Sequence, residues 1–501
     1  MTDILANLAI GFGEALSLTN LAFCLIGVLV GTLVGVLPGI GPLATVAMLL
    51  PITFALQPVT ALIMLSGIYY GAQYGGSTTA ILVNLPGEAS SVVTCLDGYQ
   101  MARRGRAGAA LAVAALGSFF AGTVATVLIV TVAEPMTELA LRFGPAEYFS
   151  LMVFGLIGAV VLASGSVVNA LAMIVVGLLL GLIGIDVNSG AQRYTFGIPN
   201  LSDGISFVTI ALGLFGIGDI VLNLERGTDR SILATRLGGL WLTRAEARQA
   251  AAPVVRGTLI GSMLGVLPGG GAVLSAFAAY TAEKKLARDP TRFGHGAIEG
   301  VAAPEAANNA GAQTSFIPML TLGIPSNALM ALMIGALIMH GIQPGPQVLS
   351  SQPTLFWGLI ASMWIGNLML LVINLPLIGI WVALLKVPYR LLYTAILVFS
   401  AIGVYSIGNS VIDVFLTAVF GLLGYFFLKV GAEPAPLLLG FVLGPMMEEN
   451  LRRAMLISGG DPMTFVERPI SLGLLLAAAG LLALALLPKL RRARAEAFKE
   501  A

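Results

Sequence analysis

The chain has 501 residues, of which 57% are hydrophobic and only 10% charged, with a formal net charge of +1 and a mean hydropathy of +0.94. So few charges cannot coat a soluble globule of this size, so the composition excludes a soluble protein and predicts a polytopic membrane protein in a lipid bilayer. The near-neutral balance gives no sign of a nucleic-acid partner, and the uneven placement of the charges bears on orientation instead.

In chain order, Met1 to Ser17 lacks the basic start of a cleaved signal peptide and reads as an interfacial or entering helix. No Asp, Glu, Lys or Arg lies between Glu14 and Glu88, or from Ala306 to Leu385. At about 20 apolar residues per crossing of a core about 30 Å thick, each stretch supplies several spans. Cys24 and Cys95 sit in apolar surroundings and read as small packing residues. Inside the first stretch, Gly35-Val36-Leu37-Pro38-Gly39-Ile40-Gly41 breaks the apolar run. It returns 230 residues later as Gly265-Val266-Leu267-Pro268-Gly269-Gly270-Gly271. The chain therefore reads as a duplication, with hairpin tips at Pro38, Gly39 and Gly41 and at Pro268, Gly269 and Gly271. Backbone amides without helical partners are not solvated by lipid, so such breaks must line a protein-walled or water-filled site. Close helix packing is the alternative reading for Gly31 and Gly35.

A second break is expected at Tyr74-Gly75-Gly76-Ser77-Thr78-Thr79, running on to Asn84 and to Pro86-Gly87-Glu88-Ala89-Ser90. Its counterpart is Asn308-Asn309 to Thr314-Ser315, then Gly323-Ile324-Pro325-Ser326-Asn327. Pairing Pro86 with Pro325 gives an offset of 239, so the second half carries a modest insertion. Between the repeats, spans are expected at about 108–133, 146–163, 166–186 and 204–224. Further spans are expected at about 354–379, 391–409, 411–428 and 470–488. The predicted fold class is an all-α polytopic membrane protein of about 10–12 spans, built from two inverted-topology repeats with re-entrant hairpins and broken helices. Residues 1–145 form repeat 1, 146–256 connecting spans and an Arg-rich cytoplasmic loop, 257–380 repeat 2, and 381–501 the last spans and a basic cytoplasmic tail.

The inversion rests on charge. Arg103, Arg104 and Arg106, the stretch from Arg226 to Arg256, Lys284 to Arg292, Lys386 with Arg390, and the tail from Lys489 are expected in the cytoplasm. The segment before the first Pro-Gly-x-Gly has no Lys or Arg, whereas the segment before the second is the Arg-rich loop. The return arm ends at uncharged Thr53 to Pro58 in one half and at Lys284-Lys285 in the other. Inverted repeats explain these contrasts with one assumption; a parallel duplication is the alternative if the span count is off by one. Arg452, Arg453 and Arg468 conflict with this topology, because they fall outside if Pro436 to Met447 crosses the membrane.

Proline fixes a first helical turn and small polar residues cap it, so Pro86 to Ser90 and Pro325 to Asn327 read as amino ends of two half-helices. Such ends, each carrying about half a positive charge, converge on an anion. The expected carboxylate site comprises Ser77, Thr78, Thr79, Asn84, Pro86, Gly87 and Ser90 with Thr314, Ser315, Pro325, Ser326 and Asn327. No Lys or Arg is near the breaks, so a bound Na⁺ or H⁺ would balance the substrate charge; Gly76, Asn308, Asn309, Glu88 and Glu305 are the candidates for holding it, and Asp97 and Glu299 are further relay candidates. Ser77, Thr78 and Thr79 bonding back within a helix, and Glu299 and Glu305 lying in a solvated segment, are the bland alternatives. Tyr69, Tyr70 and Tyr74 read equally as an interfacial belt or as pocket residues. His295 and His340 lack metal-ligand spacing and read as structural, and no metal or organic cofactor is expected.

Gly31 to Pro42, Tyr74 to Glu88, Asp97-Gly-Tyr-Gln100 and Gly323 to Asn327 together resemble the large membrane subunit of the tripartite tricarboxylate transporter family, over about the whole chain. The resemblance implies a bacterial inner-membrane secondary transporter, not an enzyme. It also implies a small four-helix membrane subunit (TctB-like) and a periplasmic solute-binding protein (TctC-like) as partners, with citrate or other organic carboxylates as substrate and cation-gradient coupling. A channel-like or scaffold membrane subunit is the alternative.

Overall fold

The structure is a computed structural model that describes residues 2–37, 41–162, 166–186, 189–226, 239–267, 271–384 and 389–486. Ser17 accepts a hydrogen bond from the backbone of Asn20, which stops helix α1 (Thr2–Ala15) and starts α2 (Leu18–Val36). A short return arm, α3 (Pro42–Thr53), leads to the 26-residue α4 (Pro58–Val83), and both carry proline at the first turn. The apolar helices α5 (Ala107–Ala140), α6 (Pro145–Leu162), α7 (Val167–Gly181) and α8 (Phe207–Glu225) follow, the last containing a π-helical turn at Leu212–Ile217.

The second half opens with α9 (Arg244–Gly265), whose Thr243 and Glu246 form a reciprocal capping box. After it come the return arm α10 (Gly271–Leu286), α11 (Glu299–Thr314), α12 (Phe316–Leu322), α13 (Ala328–Met339) and α14 (Pro353–Asn374). The chain continues through α15 (Ile378–Leu384), α16 (Tyr389–Gly408), α17 (Val411–Lys429), α18 (Ala435–Ile457) and α19 (Pro469–Leu486). Strand pairing among the described residues is confined to Gly184–Ile185 with Gln192–Arg193. Among the described residues, five helices are long and apolar enough to cross a membrane, and six shorter apolar helices accompany them. The protein is thus an all-α polytopic membrane protein.

The duplication is visible as geometry. A methyl group on Gly27, Gly31 or Gly35 of α2 would stand 2.2–2.3 Å from the carbonyl oxygens of Met64, Ile68 and Ala72 on α4. On α9, Gly257, Gly261 and Gly265 meet the carbonyls of Ala303, Ala307 and Gly311 on α11 at 2.3 Å each. The glycine positions differ by 230 and their partners by 239, so the insertion lies within the segment holding the return arm and the loop after it. Partners rise together in number, so α2 runs parallel to α4, and α9 to α11. Each return arm must therefore double back from a hairpin tip. Gly35 is level with Ala72, and α4 continues to Val83, about 16 Å further at 1.5 Å per residue, so the first hairpin reaches only part of the way along α4.

Across the two halves the direction reverses. Tyr70 of α4 packs on Phe316, with ring centroids 6.0 Å apart, while Ser77, further along α4, meets Glu305, further back on α11. The contact of Asn308 with Glu88 is matched by that of Tyr69 with Asn327, its equivalent at an offset of 239 in both members. The two contacts are reciprocal in sequence position, each member having its counterpart in the other pair.

Two expectations are corrected. The segment from Tyr74 to Thr79 is not unwound: it lies inside the continuous α4, where Gly71 and Gly75 face the backbone of Val28 and Thr32. Asn308 to Thr314 is likewise helical within α11. Glycine in a well-packed helix pair serves close approach, and the chain breaks where a residue adopts left-handed backbone instead. Arg452, Arg453 and Arg468, which conflict with the expected topology, each have an acidic partner. Arg452 meets Asp186 at 3.1 Å and Glu448 at 2.6 Å, Arg453 meets Glu449 at 2.5 Å, and Arg468 meets Glu147 at 2.6 Å. None is a free positive charge.

Replacing Gly31 or Gly261 with leucine should lower stability by about 3 kcal/mol or more, because the side chain meets backbone that cannot move aside. Gly13→Leu is the control, since no atom lies within 4 Å of a Cβ there. Thermal unfolding in detergent checks this; equal midpoints for Gly31→Leu and Gly13→Leu would refute it.

Candidate functional site

Helix α4 ends at Asn84, which has φ 58°, and α12 ends at Gly323, with φ 71°. Both are left-handed, a conformation that asparagine and glycine reach at least cost. Four residues on, Glu88 (φ −148°, ψ 164°) and Asn327 (φ −155°, ψ 174°) are extended and cap the next helical turn. Pro86 and Pro325 thus lie in the linkers, two residues before the caps, and do not form the first helical turn as expected. Gly87 tucks beneath the first hairpin: a Cβ there would be 2.1 Å from the Gly35 carbonyl oxygen and 2.5 Å from Gly76 Cα. A Cβ on Gly76 would be 3.1 Å from Glu88 Cγ.

The caps differ in charge. Asn327 accepts from the Met330 amide at 3.0 Å and donates to Ser315 Oγ at 3.3 Å, at the start of the twelve-residue α13. Glu88 forms a reciprocal box with Ser91, receives a hydrogen bond from Ser90, and accepts from Asn308 Nδ2 at 3.1 Å. Beyond it the chain is irregular: a 3-10 turn at Ala89–Ser91, then Val92–Thr94, a π turn at Cys95–Tyr99, and Gln100–Arg103. π turns frequently mark functional positions.

Glu305, 1% exposed, lies between the halves. Ser77 donates to its Oε2 at 2.6 Å and Thr94 to its Oε1. Ser118 and Asn309 approach its carbonyl oxygen at 3.4 and 3.1 Å, and Asn309 donates to Ser118 at 2.7 Å. Polar groups of Tyr74, Ser77, Thr78, Ser118, Glu305 and Asn374 line a cavity of about 10 Å³, near the minimum for one water. The described partners of Glu88 and Glu305 are all neutral, and the two carboxyls lie close enough to interact. Two such groups cannot both carry full charge inside a membrane without a proton or a cation to balance them.

The other expected residues divide. Thr78, Thr79 and Thr314 bond back to Tyr74, Gly76 and Ala310, and Thr79 also lies 3.4 Å from the Gly35 carbonyl. Ser315 bonds to Gly311 and lies 3.3 Å from the Gly265 carbonyl, while Ser326 reaches the Ser315 carbonyl at 3.4 Å. Thr79 and Ser315 thus link the longer helix of each half to the end of its neighbour, at Gly35 of α2 and Gly265 of α9. Gly41 caps α3, and Gly271 opens α10 with φ 49°. Pro38, Gly39, Pro268 and Gly269 lie outside the described residues. Asp97 accepts from the amides of Gly296 and Ala297 at 2.7 and 2.8 Å and from Tyr280 at 3.0 Å, which makes it an anchor for the start of α11. Glu299 pairs with Arg292 at 3.3 Å and accepts from Gln249 Nε2 at 2.7 Å, away from Glu88 and Glu305. No group of three metal-ligating side chains occurs among the described residues.

Sequence reading missed Thr94, Ser118 and Gln73. Gln73 is fully buried, and neither amide atom has a hydrogen-bond partner. It is the single Asn or Gln between Pro58 and Val83, which is itself a signal in a membrane helix.

The model of the tripartite tricarboxylate transporter TctA family matches residues 21–439, which contain both hairpins, both breaks, Glu88 and Glu305. The chain belongs to the TctA family. It is 61% identical over 500 residues to an uncharacterized 52.8 kDa protein from the TAR-I ttuC′ 3′ region of Agrobacterium vitis, each chain being covered completely. It is also 61% identical over 240 residues to an uncharacterized protein from the TAR-II ttuC′ 3′ region of the same organism, covering 48% of this chain and 99% of that one. No solved structure matches. As a TctA member the chain is a large subunit of the tricarboxylate-transporter type, and its family is one of transporters rather than enzymes.

Asp97→Asn removes the charge that receives two amides and a phenol. Its unfolding midpoint should fall, by about 1–3 kcal/mol in stability. An unchanged midpoint would dismiss the anchor.

Proposed function

We propose that this TctA protein is the permease subunit of a binding-protein-dependent secondary transporter that takes up tricarboxylates or other organic carboxylates, driven by a Na⁺ or H⁺ gradient through alternating access. The observation that carries the reading is the pair of capped breaks, Asn84 to Glu88 and Gly323 to Asn327, with buried Glu305 held by neutral donors beside the first of them. The substrate site draws on Ser77, Ser90, Ser326 and Asn327, beside the linkers at Pro86-Gly87 and Pro325-Ser326, with Thr78, Thr79, Asn84, Thr314 and Ser315 as its supports. The two ends have unequal roles. Glu88 places a protein carboxylate at one helical start, which repels an anion and suits the coupling cation or proton. The neutral start of α13 suits the substrate carboxylate. Glu305, Asn308, Asn309 and the backbone at Gly76 complete the ion side.

The antiparallel run of α4 and α11 supports repeats inverted in the membrane, within residues 1–145 and 257–380. The proposed setting is a bacterial inner membrane, with a small four-helix membrane subunit and a periplasmic solute-binding protein as partners, as family membership implies.

Counterflow in proteoliposomes holding the membrane complex tests the transport reading. A carrier exchanges labelled for unlabelled carboxylate; a channel or a scaffold does not. Ser77→Leu and Ser326→Leu should abolish exchange while membrane abundance is kept, and Glu305→Gln should retain exchange but lose gradient-driven accumulation. Normal accumulation by Glu305→Gln would remove it from coupling. Single cysteines at Leu16 and Trp241, in a background without Cys24 and Cys95, should label from opposite faces. Labelling from one face would establish a parallel duplication.

A further inference from the structure

Two polar side chains of α4 are buried without hydrogen-bond partners, the Tyr70 hydroxyl and Gln73, and of these only Gln73 offers both a donor and an acceptor on a full amide. Its side chain is completely buried, and both the Nε2 donor and the Oε1 acceptor lack partners. A buried amide left in this way is destabilising, so its retention calls for a ligand or another compensation. Its direction follows from helical spacing. Residues three and four apart share a face, so Gln73 stands with Tyr69, Gly76 and Ser77. Gly76 backs Glu88, and Ser77 holds Glu305. Tyr69 faces both Gln73 and Asn327 and senses Glu88, although its hydroxyl stops short of hydrogen-bond geometry with the amide. Gln73 and Tyr69 therefore lie between the charged cap and the neutral cap, beside the amino end of α13. Three observations meet there: a helix start of sufficient length, an unpartnered buried amide, and a phenol facing both.

Resting on the reading of the chain as a carboxylate carrier, we propose that Gln73, with Tyr69, is the specificity-determining contact of its site and reads a hydroxyl group beside a substrate carboxylate. The argument is one of donors and acceptors. A carboxylate offers only acceptors, so it satisfies Nε2 of Gln73, the Tyr69 hydroxyl and the start of α13 but leaves Oε1 of Gln73 unfilled. A hydroxyl on the adjacent carbon donates to that oxygen. A hydroxy-carboxylate thus fills the amide on both sides, and its deoxy analogue leaves a buried acceptor empty. Sites built to bond a hydroxyl discriminate strongly against ligands without one. The pseudo-equivalent of Gln73 is Ala312, so the contact exists once per molecule and orients the ligand.

The test is counterflow with matched pairs that differ by one hydroxyl, citrate against tricarballylate and malate against succinate, in proteoliposomes of the membrane complex. The wild type should prefer the hydroxylated member of a transported pair by about tenfold or more in KM. Gln73→Met, which keeps the size of the side chain, should reduce that ratio to about one, and Tyr69→Phe should raise KM for both members. The thermal unfolding midpoint of Gln73→Met should stay level or rise, because an unpartnered amide is removed from the interior; a merely structural glutamine would lower it. A ratio that survives Gln73→Met, or a wild type indifferent to the hydroxyl, overturns the inference while leaving the carrier reading intact. Exchange of no carboxylate by the wild type would instead overturn the carrier reading.

Discussion

Six carbonyl oxygens occupy the space that side chains of α2 and α9 would otherwise fill. Lipid offers little apolar driving force for helices to associate, so close backbone approach and the dispersion contacts it brings must supply it. Glycine at every fourth position in both halves meets that need, and the rest follows. The two helices of each pair must run parallel, the chain between them must double back, and a hairpin tip must end part of the way along its longer neighbour. The last turns of α2 and α9 then stand beside the breaks, Gly35 against Gly87 in one half and Gly265 against Thr314 and Ser315 in the other. Packing sets the depth of the site before any polar residue acts.

The polar interior is then asymmetric by sequence alone. Glu88 corresponds to Asn327, Glu305 to Ser66, Asn308 to Tyr69 and Gln73 to Ala312. A duplicated frame has thus received acids on one side of its pseudo-axis and neutral groups on the other. Hydroxyls from three segments of the first half, at Ser77, Thr94 and Ser118, gather around Glu305 of the second half and its carbonyl, so this residue joins the two halves.

Much of this is legible in the sequence. Composition gives the solvent, the repeated Gly-Val-Leu-Pro-Gly motif marks the duplicated hairpins, and the helices after residue 353 fall close to their expected places. What misleads is glycine, whose two uses look alike in one dimension. Gly75 and Gly76 resemble a break, yet they sit within α4, where close approach of α2 to Gly75 and of the Gly87-Glu88 linker to Gly76 supplies the reason for a missing side chain. The true break is Asn84, whose left-handed backbone has no such signature. Asp97 shows the same limit: its partners are amides about 200 residues away, which no local pattern reports.

The Asp97 anchor has a further consequence. Its pseudo-equivalent position is Ala336, which has no side-chain acceptor, so three hydrogen bonds that tie the start of α11 to the first half have no mirror image. In a carrier whose halves were identical, the two orientations would be equal in energy and equally populated. If the protein works by the alternating access proposed above, that one carboxylate would lift the degeneracy and favour the conformation that keeps the anchor closed.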